Sequence, residues 1–175
     1  MKKLLVVVDM QNDFIDGALG TEEAKAIVPN VVTKISEWGG DIITTQDTHY
    51  PNYLETREGK HLPVSHCIID TEGHKINNDI FKALVNTRHF AALNKLTFGS
   101  TALPELIRGQ GYEYIELVGL CTDICVVSNA MLLKAAFPET DIAVDASCCA
   151  GVTPESHKSA LLTMKMCQID ILNGD

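Results

Sequence analysis

The chain has 175 residues, of which 46% are hydrophobic, and this is enough for one domain with a substantial core. Acidic residues outnumber basic residues by 23 to 14, and the formal net charge of −9 argues against nucleic acids and anionic membranes as partners. No apolar stretch approaches the about 20 residues that a membrane-spanning helix needs. Only five apolar residues follow Met1-Lys2-Lys3, too few for the core of a secretory signal. We therefore expect a single domain over residues 1–175, located in the cytoplasm, with its six cysteines reduced.

Short apolar runs alternate along the chain with segments of helical periodicity. Several of these runs are apolar at successive positions, so both faces of the corresponding strands should be covered. Parallel sheets with helices on both sides provide that cover. The alternation predicts a βαβα architecture in one α/β domain. The predicted strands are Leu4–Val8, Ile42–Thr45, His89–Leu93, Tyr114–Val118, Ile142–Val144 and Ile169–Leu172.

The segments between the strands have apolar residues at helical spacing. In the first, Val31, Val32, Ile35 and Trp38 are three to four residues apart or adjacent, and Pro29 is acceptable in the first turn of such a helix. Similar spacing predicts three later helices. These lie around residues 103–107, 126–131 and 157–164.

One long segment, from Asp47 to Asn78, shows no clear period and contains four of the six histidines. Long irregular segments inside a compact domain usually have a function. Because this one is rich in His and Asp, we interpret it as part of a functional site.

Asp9 ends the first predicted strand, within Val6-Val7-Val8-Asp9-Met10-Gln11-Asn12-Asp13-Phe14. Open α/β sheets bind their ligands at the carboxyl ends of the strands, so Asp9 is a candidate functional carboxylate. Taken alone, it could equally cap the loop that follows. Lys95 follows the third predicted strand, where a solvated loop lysine is the simpler interpretation.

Cys125 follows the fourth predicted strand, within Val118-Gly119-Leu120-Cys121-Thr122-Asp123-Ile124-Cys125-Val126. A helix that begins near Thr122 or Asp123 would place Cys125 in its first turn, where free N–H groups and the helix dipole favour an anion. Such a position lowers the pKa of a thiol and makes it a nucleophile, and the same N–H groups could hold an oxyanion. The alternative for a lone cysteine is a buried residue that packs as a small hydrophobe.

Together these three segments resemble the isochorismatase-like cysteine hydrolases, and within them the nicotinamidases. The sequence D-M-Q-N-D-F at 9–14, the lysine at 95 and G-L-C-T-D-I-C-V at 119–126 stand in the order of that family. The resemblance extends over nearly the whole chain. It implies a three-layer, Rossmann-like α/β fold, in which a six-stranded parallel sheet of order 3-2-1-4-5-6 has helices on both faces.

The resemblance also implies roles for individual residues. The catalytic residues would be Asp9 as the general base, Lys95 as a stabiliser of charge and Cys125 as the nucleophile. The backbone N–H groups of Cys121 and Cys125 would form the oxyanion hole, beside a non-proline cis peptide bond at Leu120–Cys121. No organic cofactor is implied.

An aspartate and two histidines in the irregular segment form a candidate metal site. Asp47 and His49 follow the second predicted strand, and His66 lies seventeen residues beyond His49. These residue types suit zinc or iron and leave positions for water and substrate. Loop histidines that bond to the backbone are the alternative. The resemblance implies a metal at these three residues, and where many nicotinamidases have a further histidine, Glu55 or Glu58 could substitute.

We therefore expect a cysteine amidohydrolase that acts on a small amide, nicotinamide or a close analogue, through an acyl-thioester. Phe14 and Leu120 are the expected pocket residues, but residues 62–65, where nicotinamidases commonly have a tryptophan, contain no aromatic side chain. Two alternatives remain open. One is a metal-free relative that hydrolyses a carbamoyl or ureido compound or a vinyl ether, and the other is a non-catalytic α/β binding module. Family members are often dimers or tetramers, so we also expect a homo-oligomer.

Overall fold

The computed structural model describes residues 1–87 and 90–174. Each predicted strand has a counterpart, although His89, the predicted first residue of the third strand, lies outside the described residues. In chain order the elements are β1 (Lys3–Val8), α1 (Asn12–Ile15), α2 (Glu22–Glu37), β2 (Asp41–Asp47), a 3₁₀ helix (Tyr53–Glu55), α3 (Arg57–His61), α4 (Asn78–Val85), β3 (Phe90–Lys95), α5 (Ala102–Ile107), β4 (Tyr114–Leu120), a π-helix (Thr122–Val126), α6 (Val127–Ala136), β5 (Asp141–Ala150), α7 (Pro154–Met166) and β6 (Asp170–Leu172).

The strands form one parallel sheet of six strands in the order β3-β2-β1-β4-β5-β6, which confirms the predicted fold. β1 lies between β2 and β4, and its last residue, Val8, pairs with Thr45 of β2 and Gly119 of β4. Because all the strands run in one direction, their carboxyl ends share one edge of the sheet, where α/β proteins bind ligands. Asp9, at the end of β1, lies at this edge together with the last residues of β2 and β3.

Helices cover both faces of the sheet, as predicted. Along β1, Leu5 and Val7 belong to a hydrophobic cluster that includes residues of α2 and α4. Leu4 and Val6 point the other way, into a second cluster with residues of α5, α6 and α7. All four side chains are fully buried. The uninterrupted apolar run of β1 therefore has its physical cause in this two-sided burial.

Helix α2 begins at Glu22, so Pro29 lies in the middle of the helix and not in its first turn, as the sequence suggested. The side chain of Thr21 caps the helix by accepting a hydrogen bond of 3.0 Å from Ala24 N. Ala24 and Ile27 extend the buried stripe of Val31 toward the N-terminus. Burial of this longer stripe and the cap outweigh the helix-breaking tendency of one proline.

The irregular segment ends in helix α4, which was not predicted. Its buried residues are Ile80, Ala83 and Leu84, at the spacing of one helical face. The side chain of Asn77 accepts a hydrogen bond of 3.0 Å from Asp79 N at its start. Within the described residues, no helix is both long and apolar enough to cross a membrane.

Candidate active site

Asp9 and Lys95 form a buried ion pair at the carboxyl edge of the sheet. Lys95 Nζ lies 2.6 Å from Asp9 Oδ2, and both side chains are 0% exposed. Thr45 Oγ1 donates a hydrogen bond of 2.7 Å to Asp9 Oδ1. Since β2 separates β1 from β3 in the sheet, the two charged side chains meet across the end of β2. A solvated loop lysine, the simpler interpretation of Lys95, is therefore wrong.

Cys125 joins this pair from the π-helix that follows β4. Lys95 Nζ donates to Cys125 Sγ at 3.5 Å, so one ammonium group contacts both the carboxylate and the sulfur. The cysteine is 4% exposed. The cis peptide bond expected at Leu120–Cys121 is present, directly before the π-helix. The three side chains that the sequence motifs singled out thus converge on one point.

Burial raises the pKa of the Cys125 thiol well above its ordinary value, and the negative charge of Asp9 raises it further, while Lys95 acts in the opposite direction. This contradicts the prediction that the start of a helix lowers the pKa of this thiol. Burial also raises the pKa of Asp9, against the opposing effect of Lys95. A raised pKa makes Asp9 a better proton acceptor, and the sulfur is a thiol that needs such an acceptor before it can attack.

The strand β4 can approach β1 closely at the site because residue 119 is glycine. Gly119 has a φ of 119°, and a Cβ there would overlap the carbonyl of Val8. Only glycine tolerates both this backbone conformation and this proximity. The close approach brings the chain that leads to Cys125 beside the residue that precedes Asp9.

Two further polar residues of the first motif position the site, and the sequence analysis assigned them no role. Gln11 is fully buried; its Oε1 accepts from Asp47 N at 2.7 Å and its Nε2 donates to Asp47 O at 2.8 Å. Asp13 Oδ2 accepts from Cys67 N at 2.7 Å, next to His66. Their place in D-M-Q-N-D-F was the only signal for them, because neither has a characteristic spacing to its partner.

The predicted metal-binding residues Asp47, His49 and His66 lie together, and Glu58 is the fourth member of the group. One ligand atom of each lies within 4.8 Å of the others. Asp47 Oδ2 is 3.0 Å from His49 Nε2 and 3.5 Å from His66 Nε2. Glu58 Oε1 is 3.4 Å from His49 Nε2. Of the two glutamates left open by the sequence, the structure therefore places Glu58 in the group.

These residues fit a divalent transition metal. His66 Nδ1 donates to Val64 O at 2.8 Å, which leaves Nε2 as the ligand atom, and Nε2 faces the two carboxylates. His49 Nε2 is buried and, despite its 3.0 Å separation from Asp47 Oδ2, has no aligned hydrogen bond to any described residue. Two imidazoles and two carboxylates form a donor set suited to zinc or iron.

Aromatic rings enclose this group. The Tyr53 ring lies 4.6 Å from the His49 ring and 5.0 Å from the His66 ring, measured between centroids. Its hydroxyl donates to Leu62 O at 3.0 Å. Phe14 lies 5.6 Å from the His66 ring, and Phe14 and Leu120, the two expected pocket residues, belong to the same buried hydrophobic cluster. The ring packing fixes the orientation of both imidazoles.

The isochorismatase domain model matches residues 3–174. The chain belongs to the isochorismatase family. Nicotinamidase/pyrazinamidase of Bacillus subtilis superposes with a TM-score of 0.86 at 25% identity, over 99% of this chain and 100% of that one. Pyrazinamidase of Pyrococcus horikoshii, solved in complex with zinc, superposes with a TM-score of 0.82 at 27% identity, over 99% of this chain and 100% of that one.

A curated relative from Arabidopsis thaliana is 29% identical over an alignment of 183 positions, which covers 92% of this chain and 87% of the relative. It is described as a probable inactive nicotinamidase. Family membership therefore does not by itself decide whether this chain is an enzyme. Whether this chain is an enzyme depends on its own site residues and their geometry.

Proposed function

We propose that this isochorismatase-family chain is a cysteine amidohydrolase that hydrolyses a small amide, with nicotinamide or a close analogue as substrate. The observation that carries the proposal is the contact of one lysine with both a carboxylate and a thiol: Lys95 Nζ lies 2.6 Å from Asp9 Oδ2 and 3.5 Å from Cys125 Sγ. A base, a nucleophile and a fixed positive charge are the parts that acyl transfer from an amide requires.

In the proposed reaction, Asp9 accepts the proton of the Cys125 thiol as the sulfur attacks the amide carbonyl carbon. Backbone N–H groups of Cys121 and Cys125 stabilise the oxyanion. Asp9 then gives the proton to the departing nitrogen, the C–N bond breaks, and ammonia leaves. Throughout, the ammonium of Lys95 stabilises the negative charge that passes between the carboxylate and the sulfur.

The resulting thioester is hydrolysed by water. Asp9 accepts a proton from the water, the hydroxide adds to the acyl carbon, the C–S bond breaks, and Asp9 returns the proton to the leaving sulfur, which gives the carboxylic acid and the free thiol of Cys125. The sum is amide plus water to carboxylic acid plus ammonia. The same carboxylate acts as base and then as acid in each half of the reaction, which matches its position beside the sulfur.

Asp47, His49, Glu58 and His66 would hold the metal in this proposal. A bound zinc or iron ion would supply an open coordination position for a donor atom of the substrate, such as a ring nitrogen. Phe14 would pack against a planar substrate next to His66. The full burial of Asp9 and Lys95 favours a small substrate. The similarity to the Pyrococcus pyrazinamidase, which was solved in complex with zinc, supports the proposal that a metal binds.

The non-catalytic binding module remains the second candidate, and two observations favour it: the sulfur is nearly sealed, and one relative is described as a probable inactive nicotinamidase. An ammonia-release screen separates the candidates. The purified chain, with and without added zinc or iron, is incubated with nicotinamide, pyrazinamide, aliphatic amides and ureido compounds. Release from a pyridine carboxamide supports the proposal, and release only from ureido compounds without metal supports a metal-free relative. If no amide releases ammonia under any metal condition, the proposal that this chain is an amidohydrolase is overturned.

A further inference from the structure

Asn129, on helix α6, is a fully buried polar residue that no sequence motif singled out. Its carboxamide makes three hydrogen bonds. Nδ2 donates to Cys125 O at 2.8 Å and to Phe98 O at 3.2 Å, and Oδ1 accepts from Ser100 N at 2.9 Å. Both donor hydrogens and one acceptor site of the carboxamide are thus used, and Asn129 links two segments of the chain by hydrogen bonds.

The two segments carry the nucleophile and the lysine of the site. Cys125 lies one helical turn before Asn129, in the π-helix that continues into α6, and these two helical segments together are the nucleophile helix. Phe98 and Ser100 belong to the loop that follows Lys95, the last residue of β3, and this loop is the lysine loop. That loop is also held from its other end, because Lys95 Nζ donates to Thr97 O at 3.1 Å. The hydrogen bonds of Asn129 therefore connect the segment that carries Lys95 to the segment that carries Cys125, and they help to set the 3.5 Å separation between Lys95 Nζ and Cys125 Sγ.

We propose that Asn129 is a positioning residue that holds the lysine loop against the nucleophile helix and so keeps the Lys95 ammonium within reach of the Cys125 sulfur. The kinetic part of this inference rests on the proposed amidohydrolase function, whereas the part that concerns thiol reactivity does not. Asparagine suits the position because both carbonyls need donors and Ser100 N needs an acceptor. Aspartate would set an acceptor against two carbonyls, and alanine would remove all three of these hydrogen bonds.

The matched control is Asn86, just after helix α4. Its Nδ2 donates to Lys82 O at 2.8 Å, the same side chain to carbonyl bond over four residues that Asn129 makes to Cys125. Asn86 is exposed and lines a surface pocket with Lys3 and Asp41, the first residues of β1 and β2, at the edge of the sheet opposite to the site. Asn86→Ala therefore removes an equivalent local hydrogen bond and leaves the hydrogen bonds between the lysine loop and the nucleophile helix unchanged.

The test measures the rate at which iodoacetamide reacts with Cys125 in wild type, Asn129→Ala, Asn129→Asp and Asn86→Ala. Peptide mass spectrometry follows the reaction from pH 6 to 9.5. The temperature is one at which circular dichroism shows all four proteins folded. We expect the rate at neutral pH to fall about tenfold for each unit by which a displaced ammonium raises the thiol pKa in the Asn129 variants, and to stay at the wild-type level in Asn86→Ala. In any amide hydrolysis found in the screen, kcat should fall while KM stays nearly constant.

A wild-type alkylation profile in folded Asn129→Ala, with only a lower melting temperature, would overturn the inference, because Asn129 would then stabilise the fold alone. If Asn129→Ala does not fold, Asn129→Asp decides: it keeps the acceptor for Ser100 N but sets an acceptor against Cys125 O and Phe98 O, so a wild-type alkylation profile in this variant would equally overturn the inference. A wild-type protein that releases no ammonia removes the proposed function alone, because the alkylation rate is measured without substrate.

Discussion

Asp47 contacts Lys95 with one carboxylate oxygen and the histidines of the candidate metal group with the other. Lys95 Nζ lies 3.3 Å from Asp47 Oδ1, while His49 Nε2 lies 3.0 Å from Asp47 Oδ2. The candidate metal group and the candidate catalytic group therefore share one side chain. Gln11 holds the backbone of Asp47 from both sides, so this shared residue has little freedom to move.

Glu58→Gln should weaken zinc binding at least about tenfold, because it removes one of the four ligand atoms while preserving the size of the side chain. Glu55→Gln is the control, since Glu55 was the other candidate in the sequence and lies outside the group. Isothermal titration of zinc into the metal-free proteins measures both. Equal affinities for the two variants would mean that Glu58 is not a ligand.

Cys125→Ala should abolish ammonia release, a loss of at least about a thousandfold, without a large change in the far-UV circular dichroism spectrum. Cys149→Ala is its matched control, because Cys149 is another thiol of 4% exposure and lies in β5, outside the constellation. It should keep most of the activity. Activity of Cys125→Ala close to wild type would remove the nucleophile from the proposed mechanism.

The pH profile of kcat/KM should have an acid limb above 3.8, because burial raises the pKa of Asp9 from that ordinary value. The carboxylate is the active form, so activity is present at pH values above the raised pKa and disappears as the pH falls through it. Thr45→Val removes a donor to the carboxylate and should move the limb upward by about one unit.

Thr44→Val is the control for that shift, because Thr44 is equally buried on the same strand but contacts Ala91 O instead of Asp9. Its acid limb should coincide with that of the wild type. An acid limb that also coincides with wild type in Thr45→Val would show that Asp9 does not determine it.

On the opposite face of the sheet from Cys125, Lys34 binds two carboxylates. Its Nζ lies 2.7 Å from Glu116 Oε1 and 2.7 Å from Asp145 Oδ2, and both carboxylates are almost fully buried. Lys34→Met leaves them without a cation and should lower the free energy of unfolding by about 3–5 kcal/mol. Lys82→Met breaks an exposed pair with Asp79 and should leave the urea midpoint nearly unchanged. A similar midpoint for both variants would contradict this assignment.

The same cluster makes stability depend on pH. Hydrogen bonds to Lys34, Asn173 and Ser147 hold the pKa of Asp145 below its ordinary value of 3.8, despite the opposing effect of burial. The contribution of Asp145 is therefore fully present above pH 3.8 and is lost as the pH falls through the lower pKa of the folded state. In Lys34→Met this acid destabilisation should become smaller, as urea unfolding between pH 2 and 6 can measure.

Much of the fold followed from the sequence. The apolar run Leu4–Val8 predicted a strand buried on both faces, with helices on both sides of the sheet to cover it. The helices were harder to delimit. The position of Pro29 suggested a helix start, but the buried stripe from Ala24 onward and the cap at Thr21 extend α2 past it. Local preference and long-range packing disagreed there, and packing prevailed.

What the sequence by itself determined was the identity of the groups that meet: the motifs around Asp9, Lys95 and Cys125 and the strand that leads to each motif. Tertiary structure alone decided which glutamate joins the histidines, that Asn129 connects two segments of the site, and that burial raises the pKa of the Cys125 thiol instead of a helix end lowering it. The physical reason is that a pKa, a set of metal ligands and hydrogen bonds between two segments all depend on distances between residues remote in the chain. Those distances exist only once the parallel strands have brought their carboxyl ends to one edge.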